Sequence, residues 1–277
     1  MSSFGPFSTA TVAVLIGVVI AWRLPYHLPR DASRQQRQQT AGHVFDALLF
    51  GLVAARLGFV LRWWPDYLAA PRALLALADG GYCAWLGIAA ACAFVLWRTR
   101  RQQPLRRPAL LAIALGSGAW LAAQGGFDLL APAPPALPEL ALHTLDGQPV
   151  TPTQQRGRPV VLNLWATWCP PCRREMPALA QAAPNHPQVA FLFVNEGEDA
   201  ATVRGYLEHE QLAIEHVLLD PQMQAMRALG ARALPSTLFF DAQGRLVDSH
   251  LGELSGAGLK RILRRHFPPV AEPAAPH

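Results

Sequence analysis

Hydrophobic positions divide the chain into two halves with different patterns. In the first half, four long apolar stretches follow one another, over residues 6–22, 43–61, 74–97 and 108–130. Each approaches the ~20 residues that a helix needs to cross the hydrocarbon core of a bilayer. In the second half, short apolar runs alternate with amphipathic segments, as strands and helices do. The pattern predicts an α-helical transmembrane bundle of about four spans, followed by an α/β domain.

The second half predicts a sheet with helical crossovers, because strands alternate with helices along the chain. Strands are predicted over residues 139–144, 159–165, 189–195, 216–219, 237–241 and 245–250, and helices over 170–183, 200–209, 221–229 and 256–266. The last two strands follow each other directly, so the sheet should be mixed.

The predicted organisation has four parts. A transmembrane helical domain covers residues 1–130, and an α/β domain covers residues 139–267. A proline-rich linker over residues 131–138 should be an extended spacer of ~25 Å. A Pro/Ala-rich tail over residues 268–277 should be frayed.

Composition and charge agree with a membrane protein. Hydrophobic residues make up 51% of the 277 residues and charged residues only 16%. The net charge of +5 divides into +7 before residue 138 and −2 after it. Because the N-terminal arginines lie between apolar stretches, not on a soluble face, we expect no nucleic-acid partner.

The distribution of arginines predicts the orientation in the membrane. The loops after the first and third apolar stretches are rich in arginine, whereas the loop after the second holds only Arg62 and Arg72 with Asp66 between them. Arginine-rich loops stay in the cytoplasm. The N-terminus is therefore predicted outside, and the C-terminal domain in the periplasm of a bacterial inner membrane. The first stretch is predicted to be an uncleaved anchor, because no basic residue precedes it and no small-x-small site follows it before Trp22.

One stretch carries the candidate chemistry. A buried strand ending at Trp165 leads into Cys169-Pro170-Pro171-Cys172. Pro170 suits the first position of a helix, so the Cys169 sulfur should lie at the helix N-terminus. The positive end of the helix dipole favours the thiolate there, and the thiolate is the species that attacks a disulfide. Cys172 lies one turn on, close enough to close a disulfide with Cys169.

These residues resemble the thioredoxin fold, and most closely the membrane-tethered TlpA-like thiol-disulfide oxidoreductases. Trp-Cys-Pro-Pro-Cys follows Asn-Leu-Trp-Ala-Thr, with Pro177 five residues past the second cysteine. A C-x-x-C motif alone is weak evidence for this fold, because zinc sites use the same cysteine spacing. Here Leu234-Pro235-Ser236-Thr237 precedes a strand at the expected distance, and in the family this proline is cis and packs against the cysteines. The resemblance covers about Leu137 to Phe267.

The resemblance implies dithiol–disulfide exchange without a cofactor or a metal. Cys169, exposed, would attack a partner disulfide, and Cys172, more buried, would resolve the mixed disulfide. Asn163 stands where thioredoxins have a buried aspartate. The resemblance therefore points to Glu198, which matches the family position better than Glu196, as the residue that takes the Cys172 proton. The alternative is that both are solvated loop carboxylates.

Partner recognition is expected around the cysteines. Trp168, Pro170, Pro171 and Leu234 are predicted to contact substrate, and Pro235 to keep a partner peptide paired beside the cysteines. Trp165 could cover the site or pack in the core, and core packing is favoured. The resemblance implies periplasmic protein disulfides as substrates, such as apocytochrome c or copper-protein thiols, with this chain as reductant. A membrane donor of the DsbD or CcdA kind would supply the electrons.

Two other functions use the same cysteines. Soft thiolates select Cu(I), so a metallochaperone-type module is one alternative. A scaffold with an inert disulfide is the other. Neither needs the aromatic strand, Pro177 or Pro235, and the histidines of this half are scattered, so disulfide exchange is favoured.

The N-terminal half resembles prolipoprotein diacylglyceryl transferase. The motifs are Gly5-Pro6-Phe7-Ser8, Ala55–Leu61 and Asp79-Gly80-Gly81, in the family's order. The family's Phe-His-Gly-Gly run is replaced by a stretch without histidine after Gly81. Because acyl transfer needs a proton acceptor, we expect a transferase-like scaffold that interacts with membrane lipid, and an active lipoprotein acyltransferase is the alternative.

Three polar or reactive residues in the predicted spans need an account. Arg56 is expected either to be paired inside the bundle or to mark a site. Cys83 and Cys92 are nine residues apart in the third stretch, which is ~13.5 Å of rise on one helix. They are therefore expected to pack and not to form a disulfide, which needs Cα atoms within ~7 Å.

Overall fold

The computed structural model describes residues 3–4, 7–27, 32–69, 71, 74, 81–130 and 134–268. The chain divides into two compact units, one of residues 2–68 and 81–132 and the other of residues 133–277 with residues 1 and 69–80. The predicted tail beyond residue 268, the first three linker residues, and the motif residues Gly5, Pro6, Asp79 and Gly80 lie outside the described residues.

The first unit is helical. Its elements are the paired strands β1 (Ser3–Phe4) and β2 (Phe7–Ser8), then α1 (Thr9–Arg23) with a 3₁₀ turn (Leu24–Tyr26), α2 (Arg34–Arg62), α3 (Trp64–Ala69), α4 (Ala84–Arg98) and α5 (Gln103–Leu130). Among the residues that the structure describes, three segments could cross a membrane by length and composition: Thr9–Tyr26, Arg34–Arg62 and Gln103–Phe127. α4 has only 15 residues, fewer than the ~20 needed for a straight crossing.

Two predicted stretches differ from the observed helices. α2 begins at Arg34, nine residues before the predicted start at residue 43. The reason is a capping box, in which the Gln36 backbone N–H donates to the Ser33 hydroxyl and the Ser33 N–H donates to the Gln36 side chain. The third stretch was predicted from residue 74, but its helix begins at Ala84 with Cys83 as N-cap.

Glycine pairs bring the long helices into close contact. Gly17 of α1 faces Gly116 of α5, and Gly51 of α2 faces Gly87 of α4. A Cβ atom built on Gly51 would lie 2.7 Å from the Gly87 carbonyl oxygen, and one built on Gly17 would lie 2.7 Å from that of Gly116. Small residues therefore allow each helix pair to approach backbone to backbone, as in membrane bundles.

The second unit is a seven-stranded mixed sheet flanked by helices. Its elements are β3 (Leu142–Thr144), β4 (Pro149–Val150), a 3₁₀ turn (Pro152–Gln155), β5 (Val160–Trp165), α6 (Pro170–Asn185), β6 (Ala190–Glu196), α7 (Ala200–His209), β7 (Val217–Asp220), α8 (Gln224–Ala228), β8 (Ser236–Phe240), β9 (Leu246–Leu251) and α9 (Gly256–His266). The strand order is β4-β3-β7-β6-β5-β8-β9. β5, β6 and β7 are parallel, and the remaining pairs are antiparallel.

Most elements lie within a few residues of their predicted bounds. α7 and α9 match them, and in the structure the side chains of Asp199 and Ser255 cap their N-termini. α8 has only five residues, against nine predicted. β4 was not predicted, because two residues are too few to show a period.

The core has two layers because β5 and β6 are buried on both faces. Alternate side chains point to opposite faces of a sheet. Val161 and Trp165 therefore join the layer under α6 and α9, whereas Leu162 and Leu164 join the layer that packs against Ala225 of α8.

The end of the predicted linker belongs to this core, which corrects the expectation of a free spacer up to residue 138. Leu137 is only 2% exposed, and its N–H donates to the Gly244 carbonyl at 2.8 Å. Ala136 forms a β-bridge with Arg245. Burial of the Leu137 side chain against the second core layer holds the segment on the domain.

Candidate active site

The two candidate cysteines lie where β5 ends and α6 begins. Cys169 is the N-cap of α6, with Pro170 and Pro171 as the first two helical residues. The Cys172 backbone N–H donates to the Cys169 Sγ at 3.3 Å. The structure holds the two residues as a disulfide with Cα atoms 5.3 Å apart. The sulfur of Cys169 therefore lies at the positive end of the helix dipole, in a position that stabilises a thiolate after reduction.

The disulfide is more buried than the sequence suggested. Cys172 is fully buried as predicted, but Cys169 is also only 3% exposed, in place of the expected exposed thiol. Both side chains belong to the core layer under α6, against which Leu234 packs. Packing in this layer thus leaves the first cysteine almost fully buried in its oxidised form.

The two tryptophans beside the site separate into different roles. Trp165 is fully buried, with its ring 5.5 Å from that of Tyr206, so core packing is the correct alternative for this residue. Trp168 is 65% exposed directly before Cys169. Pro170 is exposed on the other side of Cys169, and Pro171 is half-buried. Apolar surface therefore flanks the disulfide.

Pro235 lies at the same edge of the sheet as the disulfide. β8 pairs antiparallel with β5, with Ser236 opposite Leu164, so Pro235 comes level with Trp165 where β5 enters the cysteine loop. Pro235 is buried, its peptide bond with Leu234 is cis, and its carbonyl accepts the Gly252 N–H at 2.9 Å. The structure thus brings Leu234 and Pro235 to the end of the sheet at which β5 leads into the cysteine loop.

Glu198 holds the loop that precedes Cys169. Its carboxylate accepts the Thr167 backbone N–H at 2.8 Å and the Thr167 hydroxyl. It also accepts the Asn195 side-chain amide at 2.7 Å. These contacts connect the end of β6 to a residue two positions before Cys169, and they are contacts that fix a loop in place.

A second carboxyl lies on the buried face of α6 that carries Cys172, and sequence reasoning missed it. Glu175 follows Cys172 by three residues on α6, which places both on one helix face, and it is 1% exposed. Its oxygens accept the Asn163 side-chain amide at 2.7 Å and the Leu254 N–H at 2.8 Å. Burial, partly offset by these hydrogen bonds, raises the pKa of Glu175 to about 8. The spacing from Cys172 was the signal that could have found it.

Arg173 begins the exposed side of the same helix. Its guanidinium lies over the Tyr206 ring at 5.4 Å and pairs with Glu210 at 2.5 Å.

Among the described residues, no group of three or more His, Cys, Asp or Glu side chains is close enough to hold a metal ion.

In the helical unit, two motifs of the transferase-like half meet. Arg56 is buried, and it donates to the Gly81 carbonyl at 3.0 Å. Its guanidinium lies 5.6 Å from the centroids of the Tyr67 and Tyr82 rings. Cation–π contacts and a backbone acceptor thus satisfy the charge, as expected for a paired structural role. Cys83 and Cys92 are free thiols.

Together, the mixed sheet, the Cys-Pro-Pro-Cys disulfide at a helix N-terminus and the proline on the adjacent strand define a thioredoxin-like protein of the dithiol–disulfide class. Residues 132–263 match the sequence profile of the Redoxin family, and residues 4–124 match that of prolipoprotein diacylglyceryl transferase.

Comparisons with known proteins give the family. The thiol-disulfide oxidoreductase ResA of Geobacillus thermodenitrificans is 34% identical over 128 residues, which are 46% of this chain and 73% of that protein. The thioredoxin-like protein YneN of Bacillus subtilis is 30% identical over 131 residues, 46% of this chain and 75% of that protein. The crystal structure of a thioredoxin-family thiol:disulfide interchange protein from Chlorobium tepidum is 26% identical with a TM-score of 0.43, and covers 49% of this chain and 97% of that one. This chain belongs to the family of ResA-like thiol-disulfide oxidoreductases.

Proposed function

We propose that this protein is a membrane-anchored, extracytoplasmic oxidoreductase that reduces disulfides of other proteins through Cys169 and Cys172. The observation that carries the proposal is the position of the Cys169 Sγ at the N-cap of α6, where it accepts the Cys172 N–H. A sulfur in that position forms a stabilised thiolate, which is both the attacking species and a good leaving group.

The reaction starts from the dithiol form. The Cys169 thiolate attacks one sulfur of the partner disulfide, so that a mixed disulfide forms and the other partner sulfur leaves as a thiolate. The Cys172 thiolate then attacks the Cys169 sulfur and releases the second partner sulfur. The two protons of the original dithiol pass to the two partner thiolates. The partner gains two electrons, and Cys169 and Cys172 end as the disulfide seen in the structure.

Glu175 supplies the proton acceptor that Cys172 needs for the second step. It lies one turn from Cys172 on the buried face of α6, and its pKa is raised to about 8 by burial. A carboxyl of that pKa changes protonation state in the range where thiols ionise, so it can take the proton and later return it. Glu198 was the predicted acceptor. Its hydrogen bonds to Thr167 favour a positioning role instead.

The surface for the partner lies around Cys169. Trp168 and Pro170 are the exposed apolar residues next to it, and Leu234 and Pro235 form the adjoining strand edge. A partner peptide that extends along this edge would bring its disulfide to the Cys169 sulfur, once the cover over that sulfur moves aside.

The N-terminal half would serve as the anchor. Its apolar helices and its similarity to a membrane transferase support insertion in the bilayer, and its arginine-rich loops support an orientation with the C-terminal domain outside. The missing histidine motif supports a scaffold that contacts lipid without acyl-transfer chemistry. Because Cys83 and Cys92 are nine residues apart, they support no electron path, and a separate membrane donor of the DsbD or CcdA kind would reduce the pair.

Trapping tests this proposal directly. In cells, Cys172→Ser should accumulate a mixed disulfide between Cys169 and its protein substrate, because the resolving thiol is gone. Cys169→Ser is the matched control and should accumulate none. A membrane-impermeant maleimide should label Cys169 of the reduced Cys172→Ser protein in intact spheroplasts. Failure to trap any partner, or labelling only after lysis, would contradict the proposal, and Cu(I) retention without trapping would favour a metal-binding module.

A further inference from the structure

Two carboxyl side chains lie side by side at the sheet edge that carries the disulfide. Glu196 ends β6 and Asp220 ends β7, and they are partners in the parallel pairing of these strands. Each is 1% exposed. Within the described part of the chain, neither carboxyl oxygen of Glu196 makes a hydrogen bond of good geometry, and neither does Oδ1 of Asp220. The Met226 backbone N–H is a donor that faces Glu196 from α8. The other oxygen of Asp220 accepts the Ala225 N–H at 2.6 Å.

The pair lies on the face of the sheet opposite to Cys172. Leu192 and Val194 of β6 belong to the second core layer, and strand alternation places Glu196 on that same face. The charged group that faces the pair from α8 is Arg227, which is exposed and donates to the Gln222 carbonyl. On the β5 side the neighbouring residue, by register, is the uncharged Ala166. Glu198 and Asp199 follow Glu196 on its own segment.

Two buried carboxyls at paired positions of neighbouring strands disfavour each other's ionisation. Burial, followed by the charge of Asp220, raises the pKa of Glu196 to about 8, and the charge of Arg227 and the Met226 backbone N–H oppose this rise. A protonated Glu196 has an O–H that can donate to the unpaired oxygen of Asp220. One shared proton would then give a hydrogen bond between the two carboxyl groups, at oxygens that otherwise make none of good geometry.

The pair is joined to the cysteine loop by two residues. The Gly197 N–H donates to the Asp220 carbonyl at 2.9 Å, with Gly197 at a φ of +83° that favours glycine. Glu198 follows and holds the Thr167 N–H. The ends of β6 and β7 are therefore tied together at the point from which Glu198 reaches the loop before Cys169.

We propose that Glu196 and Asp220 share one proton and act as positioning residues, which hold the Thr167–Cys169 loop in place while protonated and release it when the proton is lost. The inference rests on the proposed exchange function, since it concerns access to Cys169. Ionisation of Glu196 sets two negative charges against each other in a buried place. The ends of β6 and β7 then separate, and the hydrogen bond between the Glu198 carboxylate and the Thr167 N–H breaks. The loop before Cys169 can then move, and the buried Cys169 sulfur becomes accessible to a partner.

Hydrogen exchange at Thr167 tests the link in the full-length, oxidised protein. The protection factor, which removes the intrinsic effect of pH on exchange, should fall about fivefold between about pH 7 and about pH 9, the fold-change that the loss of one net hydrogen bond gives. Glu196→Gln keeps the shape but cannot ionise, so the fall should disappear. Asp220→Asn should also remove it. Glu208→Gln, an exposed carboxylate change on α7, is the matched control and should keep it.

A second readout concerns the disulfide itself. The rate at which dithiothreitol reduces Cys169–Cys172, divided by the thiolate concentration and measured at high salt, should rise above about pH 8 in the wild type. The rise should be absent in Glu196→Gln. If the Thr167 protection factor of the wild type did not fall between about pH 7 and about pH 9, the proposed role of Glu196 and Asp220 would be wrong. A fall that persisted in both Glu196→Gln and Asp220→Asn would also overturn it. If both pH-dependent changes were seen in a protein that reduces no partner disulfide, the role of Glu196 and Asp220 would be supported and the exchange function would be contradicted.

Discussion

The side-chain amide of Asn163 donates a 2.7 Å hydrogen bond to Glu175, which lies three residues after Cys172 on α6. Both residues are 1% exposed, and Asn163 also donates to Thr237 at 3.0 Å. Asn163 stands where thioredoxins carry a buried acid, and it cannot accept a proton from a thiol. The hydrogen bond shows how the site keeps a carboxyl under Cys172 all the same, because the acid comes from the helix and the strand supplies its donor.

Replacement of Glu175 by glutamine should change how Cys172 titrates in the reduced protein. An ionised Glu175 one turn away disfavours the thiolate, so wild-type Cys172 and Glu175 should titrate as a coupled pair. Glu175→Gln should leave a single transition with a lower midpoint for Cys172. Alkylation of Cys172 in a Cys169→Ser background, followed over pH, measures this midpoint. An unchanged midpoint would exclude Glu175 as the proton acceptor.

The same carboxyl predicts how stability depends on pH. The pKa of Glu175 is raised from 4.5 to about 8 in the folded protein, so the unfolded chain holds fewer protons between these values, and stability should fall as pH rises through that window. Glu175→Gln should flatten the slope by at most about 1.4 kcal/mol per pH unit. Urea-dependent pulse proteolysis of the C-terminal domain in the full-length protein measures the slope. An equal slope in both proteins would mean that Glu175 does not hold its proton.

Glu198→Gln should slow the attack of the reduced protein on a disulfide, because in that form the loop positions the Cys169 thiolate, and it should not move the Cys172 midpoint. In the oxidised protein the same loosened loop would instead expose the Cys169 sulfur to a reductant. The glutamine can still accept the Thr167 N–H, but it loses the charge that strengthens these bonds. The loss should cost roughly 1 kcal/mol, or about fivefold in the rate of exchange with a model disulfide. Thr167→Val, which removes only the hydroxyl that donates to Glu198, is the partner variant and should slow exchange in the same direction. A shifted Cys172 midpoint in Glu198→Gln would restore Glu198 as the proton acceptor, and an unchanged rate would remove it from the site.

The glycine crossings of the helical half predict a different defect. Gly51→Ala would place a methyl group 2.7 Å from the Gly87 carbonyl oxygen, so α2 and α4 must move apart, at a cost of about 1–3 kcal/mol. Gly118→Ala on α5 meets nothing within 4 Å and should be tolerated. Thermal unfolding of the full-length protein in detergent compares the two. Equal losses of thermal stability would show that the close α2–α4 contact does not stabilise the bundle.

Much of the fold could be predicted because its signals are local. The alternation of apolar runs and amphipathic segments predicted α7 and α9, and Cys169-Pro170 predicted the start of α6. The start of α2 was missed although Ser33 and Gln36 form a capping box, because the polar first turns of that helix resemble a loop.

The missed parts of the site depend on tertiary packing. A glutamate in the second turn of a helix ordinarily faces solvent. Only the contacts of Glu175 with Leu254 and Asn163, distant in the sequence, show that it is buried. The burial of Cys169 in its core layer and the hydrogen bond that joins Leu137 to Gly244 likewise depend on residues distant in the sequence. Spacing places Glu175 on the helix face of Cys172, but it does not show which distant residues pack over that face.

Electron transfer by the purified, full-length protein tests the central claim most directly. The protein is first reduced and freed of reductant, then mixed with an excess of a protein disulfide, and the thiols on each partner are counted. One substrate disulfide should be reduced for each Cys169–Cys172 pair oxidised, Cys169→Ser should reduce none, and Cys83→Ser with Cys92→Ser should behave as the wild type. Retention of both thiols on the wild-type protein, or equal transfer by Cys169→Ser, would contradict the account.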